Sequence, residues 1–186
     1  AFGEWPQTEA VDFNPKTAPK SYGIFDGNYY VEGNDKYVEK DSKYYKVEPI
    51  VWRVLTENYK VPWDLQGEST GSALLLAENI LTGGISWNLG SNNYKESIIR
   101  KWLNSNKDIA KQSDYGSTTG FLKTAFTLVA QENITETTVD NSAESTSDKS
   151  GNLDAAVDYI CEDTIDKIFL LSECEATYMA YDFDAY

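Results

Sequence analysis

The chain has 186 residues, enough for one domain with a sizeable core, and its net charge of −14 reflects 16 basic and 30 acidic residues. This excess of acid argues against binding to nucleic acids or anionic membranes, because both surfaces attract basic proteins. The sequence contains no histidine, which excludes Ser-His-Asp and Cys-His catalysis and the histidine zinc-protease motif.

The chain begins with segments typical of β-strands. Residues 2–8 (FGEWPQT) are predicted to form a strand at a sheet edge, since Pro6 lacks the N–H that an inner strand donates. Residues 29–31 and 37–38 flank the turn sequence Gly33-Asn34-Asp35, and this arrangement predicts a β-hairpin.

Two stronger strand predictions follow. Residues 44–55 are rich in Val, Ile, Tyr and Trp, which predicts one long strand bent at Pro49. Residues 73–77 (ALLLA) are apolar at every position, so we expect them to lie in the centre of a sheet, covered on both faces.

The middle of the chain shows helical periodicity. Residues 93–103 are predicted to form an amphipathic helix, with Asn93 as N-cap and Glu96 completing a capping box. Its apolar face consists of Tyr94, Ile98, Ile99, Trp102 and Leu103. A second helix is predicted from the spacing of Phe121, Leu122, Ala125, Phe126 and Val129.

The last third of the chain alternates between polar and apolar segments. Residues 131–158 hold few large apolar side chains and are predicted to be a polar insertion on the surface. Residues 165–171 are predicted to form a strand, and Ser172 with Glu175 forms the capping box of a helix that continues to Met179. We predict a single domain, 1–186, with truncation of the domain at its C-terminus as the alternative.

Two cysteines, Cys161 and Cys174, lie on either side of the predicted strand. Both a disulfide between them and two free, buried thiols are consistent with this spacing. No apolar run reaches the ~18 residues of a membrane span. A signal peptide is absent and Met179 is the only methionine, so we expect the chain to be a mature or excised part of a larger protein.

Cofactor and metal sites find little support. The glycine-rich loops that bind nucleotide phosphates are absent, and no cofactor is predicted. Asp148, Asn152 and Asp154 alternate as calcium ligands do, but Gly151 falls at the fourth loop position instead of the sixth. We therefore predict a turn-rich insertion at these residues and no metal, with a calcium site as the weaker alternative.

Carboxylates and aromatic side chains remain as candidates for function. A glycoside hydrolase needs only two suitably placed acids, and Glu48, between Val47 and Pro49, is the acid singled out as a candidate for apolar surroundings. Trp52 and Trp102 fall on apolar strand and helix positions and are predicted to lie in the core. Trp63 and Trp87 fall in loops, and Asn88 follows Trp87. These three residues are predicted to bind a ligand. The alternative is that the two loop tryptophans cover the core.

Three motifs resemble a family of bacterial surface-protein domains of unknown function, common in secreted proteins. They are Ser-x-Ile-Arg-x-Trp-Leu-Asn at 97–104, Phe-Leu-Lys-Thr-Ala-Phe at 121–126, and the segment 166–176. Domains of this type resemble the C-type lectin-like fold. The resemblance implies an α+β fold in which two to three helices pack on short antiparallel strands, and a scaffold used more often for binding than for catalysis.

The residues depart from the lectin pattern for calcium-dependent sugar binding. Glu48-Pro49 is followed by Ile50, and Trp87-Asn88 by Leu89, where the pattern has amide or acid side chains. We therefore predict a non-catalytic, extracellular or cell-surface binding module with a glycan or protein ligand. A carbohydrate-active enzyme with paired carboxylates and a structural spacer domain are the alternatives.

Overall fold

The computed structural model of the chain describes residues 2–22, 28–60, 71–88, 90, 92–106, 120–146 and 159–183. Within these ranges the chain forms one five-stranded and two two-stranded antiparallel sheets, five short α-helices and a 3₁₀ helix. The fold is therefore of mixed α+β class, as predicted. None of the described helices is long and apolar enough to cross a membrane.

The first sheet has the strand order β1-β5-β4-β3-β2. Its strands are β1 (Glu4–Glu9), β2 (Lys20–Tyr22), β3 (Asn28–Glu32), β4 (Asp35–Lys40) and β5 (Lys43–Pro49). β1 lies at one edge and its register shifts after Pro6, which agrees with the predicted edge strand. The predicted hairpin is also present, since Glu32 pairs with Asp35 and Gly33 adopts a positive φ of 63° in the turn.

The single long strand predicted at 44–55 is wrong. β5 ends at Pro49, and β6 (Trp52–Thr56) belongs to a separate sheet with β7 (Leu74–Ala77). The chain changes sheet at Ile50, which is buried in the core and whose N–H donates to the Gly3 carbonyl (3.1 Å). Burial of this one side chain is the physical reason for the break.

The apolar run at 73–77, which predicts a position in the centre of a sheet, contains β7. Among the described residues β7 pairs with β6 and with no other strand. Side chains of β7 pack against two clusters. Leu74 is buried with Tyr59 and Tyr181, and Ala77 packs at the border of the main core.

The first helix begins later than predicted. α1 spans Ile98–Asn104, and its N-cap is Ser97, whose hydroxyl accepts from the Arg100 N–H (3.1 Å). Asn93 instead caps the preceding turn, where its side chain accepts from the Glu96 N–H (2.9 Å). Ser97 has extended backbone angles, which separate the turn from the helix.

The second predicted helix is two helices, α2 (Phe121–Ala125) and α3 (Leu128–Glu132). Phe126 between them is extended and buried, and Thr127 caps α3 by accepting from the Ala130 N–H. The break directs Phe126 into the core and leaves Val129, a predicted core residue, 69% exposed.

The main core lies where β1, α1 and α2 meet. Trp102 is only 2% exposed and meets the rings of Trp5 (centroids 6.0 Å apart) and Phe121 (5.3 Å). Trp52 packs against the same cluster and donates its indole N–H to the Phe2 carbonyl (2.6 Å). Both core predictions for tryptophan are confirmed. The buried members of the cluster are Ile50, Trp102, Leu103, Phe121, Leu122, Ala125 and Phe126.

The start of the polar segment predicted as an insertion at 131–158 belongs to the fold. β8 (Thr137–Val139) pairs with β9 (Thr164–Asp166), and α4 (Ala143–Thr146) follows. Asn141 is 3% exposed, and its side-chain N–H₂ donates to the Val139 and Glu162 carbonyls and to the Thr164 hydroxyl. Polar side chains are buried here because each finds partners, which composition does not reveal. Residues 147–158 lie outside the described residues.

The end of the chain combines confirmed and corrected predictions. β9, Thr164–Asp166, overlaps the strand predicted at 165–171 only at Ile165 and Asp166. The capping box of Ser172 and Glu175 is confirmed, but its helix, α5 (Glu173–Ala176), ends before Met179, which begins the 3₁₀ helix Met179–Tyr181. Cys161 and Cys174 are free thiols.

Candidate functional site

A pocket of about 170 Å³ opens beside Trp87. Four parts of the chain form it: the segment before α1, the end of β8 with α4, residue 159, and the segment that leads into α5. Its lining residues are Trp87, Asn92, Tyr94, Val139, Asp140, Asn141, Ser145, Tyr159, Leu170, Leu171, Ser172 and Glu173. Residues more than eighty positions apart in sequence therefore share one surface.

The first wall is the segment before α1. The Trp87 carbonyl accepts from the Ile98 N–H (2.7 Å), which ties the segment to the first residue of the helix. The Trp87 indole N–H donates to the Asn92 carbonyl (3.0 Å). Because both its backbone and its ring are bonded, Trp87 has a fixed orientation although its side chain is 39% exposed.

The second wall follows β8. The Asn141 amide donates to the carbonyls of Val139 (3.3 Å) and Glu162 (3.2 Å), which joins the end of β8 to the approach to β9. Ser145, fully buried on α4, donates its hydroxyl to the Asp140 carbonyl (2.5 Å). These bonds hold the backbone on both sides of Asp140.

The third wall is positioned by a buried carboxylate. Glu175, 2% exposed, accepts from the Ser172 N–H (3.0 Å) and from the Tyr59 hydroxyl (2.5 Å). Burial and the adjacent Glu175 charge raise the pKa of Tyr59, so this hydroxyl stays protonated and continues to donate. The result is a fixed start for α5, on which Glu173 lies at the pocket.

Next to Tyr94 of the lining lies an ion pair between the partly exposed Arg100 and the buried Asp166. The Arg100 Nε lies 2.9 Å from both carboxylate oxygens of Asp166, and the Thr164 hydroxyl donates to the same carboxylate (2.7 Å). Tyr94 packs next to this pair with a buried hydroxyl that makes no well-formed hydrogen bond. Burial and the Asp166 charge raise the pKa of Tyr94, partly offset by the Leu170 backbone.

The lining combines apolar rings with acidic groups. Asp140 and Glu173 carry carboxylates, and the described lining residues include no lysine or arginine. The nearby Lys95 is paired with Glu162. The pocket thus presents a negative, partly aromatic surface to solvent.

Only part of the predicted site is assembled. Trp87 lines the pocket, whereas the adjacent Asn88 is half-buried and is not among the lining residues. Trp63 lies outside the described residues, so the structure does not place it with Trp87.

The metal candidates Asp148, Asn152 and Asp154 likewise lie outside the described residues. In the part of the chain that the structure describes, no group of three His, Cys, Asp or Glu side chains could hold a metal ion. Glu48 has a structural role: it accepts from the Thr8 N–H (3.2 Å) and the Thr8 hydroxyl (2.6 Å) and so joins β5 to β1.

Sequence reasoning missed Asp140, Tyr159 and Glu173. Asp140 falls inside the segment predicted to be an insertion, Tyr159 directly follows that segment, and Glu173 lies in the helix start for which only Ser172 and Glu175 were predicted to have a role. Tyr159 gave one usable signal in the sequence. It directly follows the polar segment 131–158, which itself contains no aromatic residue. The other two became recognisable only once the chain was folded.

A family model described as a domain of unknown function, DUF6273, matches residues 70–184, which is more than half of the chain. The chain belongs to this family. It matches no curated protein and no solved structure. All residues that line the pocket fall within the matched part, whereas the five-stranded sheet precedes it.

Proposed function

We propose that the chain is a non-catalytic binding module, used for adhesion or recognition outside the cell, and that the Trp87 pocket is its ligand site. The observation that carries the proposal is the exposed apolar rim of the pocket. Trp87, Tyr159 and Leu170 are 39%, 43% and 41% exposed and border the same opening. Exposed apolar side chains gathered around a concave surface are typical of binding sites.

The fixed walls support recognition over a structural role. Trp87, Asn141 and Ser145 each use a side-chain donor within the protein, and α5 is held by its capping box. A pocket that is ordered before the ligand arrives loses little conformational entropy on binding. A spacer domain has no need of such a surface.

The size of the pocket limits what enters it. A cavity of roughly 150 Å³ admits benzene, and drug-sized ligands occupy about 300–1,000 Å³. At about 170 Å³ the pocket therefore accepts one ring or one side chain of a larger ligand. This agrees with a glycan or a protein as the ligand, bound through one terminal sugar or one protruding residue.

We further propose a C-type lectin-like fold and a location on a bacterial surface or in a secreted protein. The motif at 97–104, the short antiparallel strands and the small helices support the fold. The acidic composition and the resemblance of the motifs to surface-protein domains support the location. Neither proposal includes calcium-dependent sugar binding, since the required side chains are replaced.

One observation favours a second candidate, a carbohydrate-active enzyme. Asp140 and Glu173 lie in the same pocket as Trp87, and two carboxylates beside an aromatic wall are the groups that a glycoside hydrolase needs. The binding role is preferred because Glu173 is exposed, whereas a general acid of this chemistry lies in low-polarity surroundings. Release of reducing sugar by the wild type, lost in Glu173→Gln, would establish the enzyme instead.

The binding proposal is tested by capture. A glycan array and a pull-down from cell-wall and cell-surface protein extracts are probed with the wild type, Trp87→Ala and Ile80→Ala. Ile80 is a matched control, since it is apolar and 95% exposed but lies outside the pocket. We expect a ligand to be retained by the wild type and Ile80→Ala and lost by Trp87→Ala, with unchanged circular dichroism. Equal retention by all three, or retention by none, would refute the proposal.

A further inference from the structure

We propose that the Trp87 pocket receives an alkylammonium group, such as a lysine side chain or a choline headgroup. This inference rests on the proposed binding function and adds the chemical class of the ligand. Three independent properties of the pocket point to a cation: its charge, its aromatic walls, and the use of its hydrogen-bond donors.

The first property is charge. Asp140 and Glu173 border the pocket from two different walls, and the described lining contains no basic side chain. The net charge of −14 adds an attractive long-range field for a cation. An anionic ligand would meet repulsion both at a distance and on contact.

The second property is the aromatic surface. Trp87, Tyr94 and Tyr159 all line the pocket. The rings of Trp87 and Tyr94 have centroids 6.2 Å apart and are inclined at 46°, so they form a corner instead of a flat stack. Ring faces carry partial negative charge, and grouped rings with a carboxylate nearby are the usual site for a quaternary ammonium or methylated lysine.

The third property is the state of the donors. The indole N–H of Trp87, the amide of Asn141 and the hydroxyl of Ser145 all donate to protein carbonyls. Asp140 accepts from the Ser142 N–H (2.7 Å), but a carboxylate can accept several bonds. These three donors are therefore already used within the protein, whereas the Asp140 carboxylate can accept further bonds, which suits a ligand that donates or is positively charged.

The test uses ligands that differ only in charge. Choline is compared with 3,3-dimethylbutan-1-ol, its neutral isostere, and Nα-acetyl-lysine methylamide with the norleucine equivalent. Binding is followed by the ¹⁵N–¹H signal of the Trp87 indole, assigned with Trp87→Phe. We expect at least one cation to shift this signal, with its neutral partner about tenfold weaker or silent. Which of the two cations binds more tightly distinguishes a quaternary from a primary ammonium.

Charge is then removed from the protein. The first double variant, Asp140→Asn/Glu173→Gln, removes both pocket charges and keeps the shape of the wall. The second, Glu132→Gln/Glu136→Gln, is the control: it makes the same change in net charge at exposed acids outside the pocket. We expect the first double variant to weaken cation binding about tenfold and the second to leave it within about twofold.

Equal binding of cation and isostere, equal effects of the two double variants, or silence of both cations would overturn the inference. If capture from extracts still requires Trp87 in those cases, the binding function stands and only the cation is rejected. If capture also fails, the binding function is rejected as well.

Discussion

In the five-stranded sheet, consecutive strands from β2 to β5 pair with each other, β1 pairs with β5, and stacked rings and exposed ion pairs join the strands. Phe13 stacks on Tyr37 with centroids 4.1 Å apart and also meets Tyr30 and Tyr44. Charged groups stay at the surface in exposed pairs, for example Lys43 with Glu9. Tyr30, Tyr37 and Tyr44 lie on three neighbouring strands, and Phe13 packs its ring against all three.

The region that carries the pocket is built differently. Its strands and helices are short, and buried polar contacts join distant parts of the chain. Arg100 reaches Asp166 across 66 positions, and Tyr59 reaches Glu175 across 116. Each of these groups would be costly to leave unpaired in the interior, so the region is ordered only when the whole set is formed. The comparison teaches that the rigid pocket depends on buried polar contacts, while the sheet depends on strand pairing, ring stacking and exposed ion pairs.

The strongest perturbation should come from the core that joins the two regions. Trp102→Ala removes a buried ring that contacts Trp5 of the sheet and Phe121 of α2, and it should lower the free energy of unfolding by about 3–5 kcal/mol. Urea denaturation measures the loss. Leu128→Ala, at an apolar side chain that is 77% exposed, is the control. A near-native midpoint for Trp102→Ala would show that the two regions do not share this core.

A somewhat smaller effect is expected at the buried ion pair. Asp166→Asn keeps the size of the side chain but removes its charge, and it turns an amide N–H₂ toward the donors of Arg100 or Thr164. Because the Arg100 side chain is partly exposed, we expect a loss of about 2–3 kcal/mol in urea denaturation. Glu132→Gln, at an exposed acid, should change little. Equal midpoints would mean that the pair does not hold the pocket region together.

Alkaline pH should weaken the pocket region through its buried tyrosines. Burial, followed by the Glu175 charge, raises the pKa of Tyr181 to about 12, and burial and the same charge raise that of Tyr59 further. The unfolded chain therefore loses these protons near pH 10 while the folded chain keeps them.

Stability is consequently full below pH 10 and falls as pH rises toward 12, by up to about 1.4 kcal/mol per pH unit for each such tyrosine. Urea unfolding between pH 8 and pH 11.5 measures the slope, which should be smaller in Tyr59→Phe. A slope that is the same in the wild type and the variant would contradict the role given to the Tyr59–Glu175 contact.

The smallest effect should come from the surface of the sheet. Lys43→Ala removes an ion pair with Glu9 in which both side chains are well exposed, and such pairs are screened by water and salt. We expect no measurable change in the urea midpoint at 0.15 M salt. A clear destabilisation would show that the sheet, too, depends on charge pairing and would weaken the contrast between the regions.

The features that could be predicted from the sequence are those encoded by a few neighbouring residues. Pro6 marked an edge strand, Gly33-Asn34 marked a hairpin, and Ser172 with Glu175 marked a helix start. Each works through contacts within one turn or one strand, so periodicity and turn chemistry suffice to find it. The same holds for Trp102, whose burial follows from the apolar face of its helix.

The features that could not be predicted depend on contacts between distant residues. Ile50 leaves the first sheet because the core takes its side chain, and Asn141 is buried because partners on another segment satisfy it. For the same reason only Trp87 of the pocket was identified. Asp140 and Glu173 reach the pocket only when segments more than thirty residues apart fold together. No local sequence pattern indicates this contact.

The central claim is that the Trp87 pocket is the ligand-recognition surface. The most direct measurement is a ¹⁵N–¹H correlation spectrum of the wild type, titrated with the ligand that the array or the pull-down retains. We predict that the largest shifts fall on the Trp87 indole and on the backbone amides of Asn92, Asn141 and Tyr159, which line the pocket. The claim would be contradicted if the Trp87 signal stayed unchanged and the shifts centred on another exposed apolar site. Val54 on β6 and Val51 just before it form such a site.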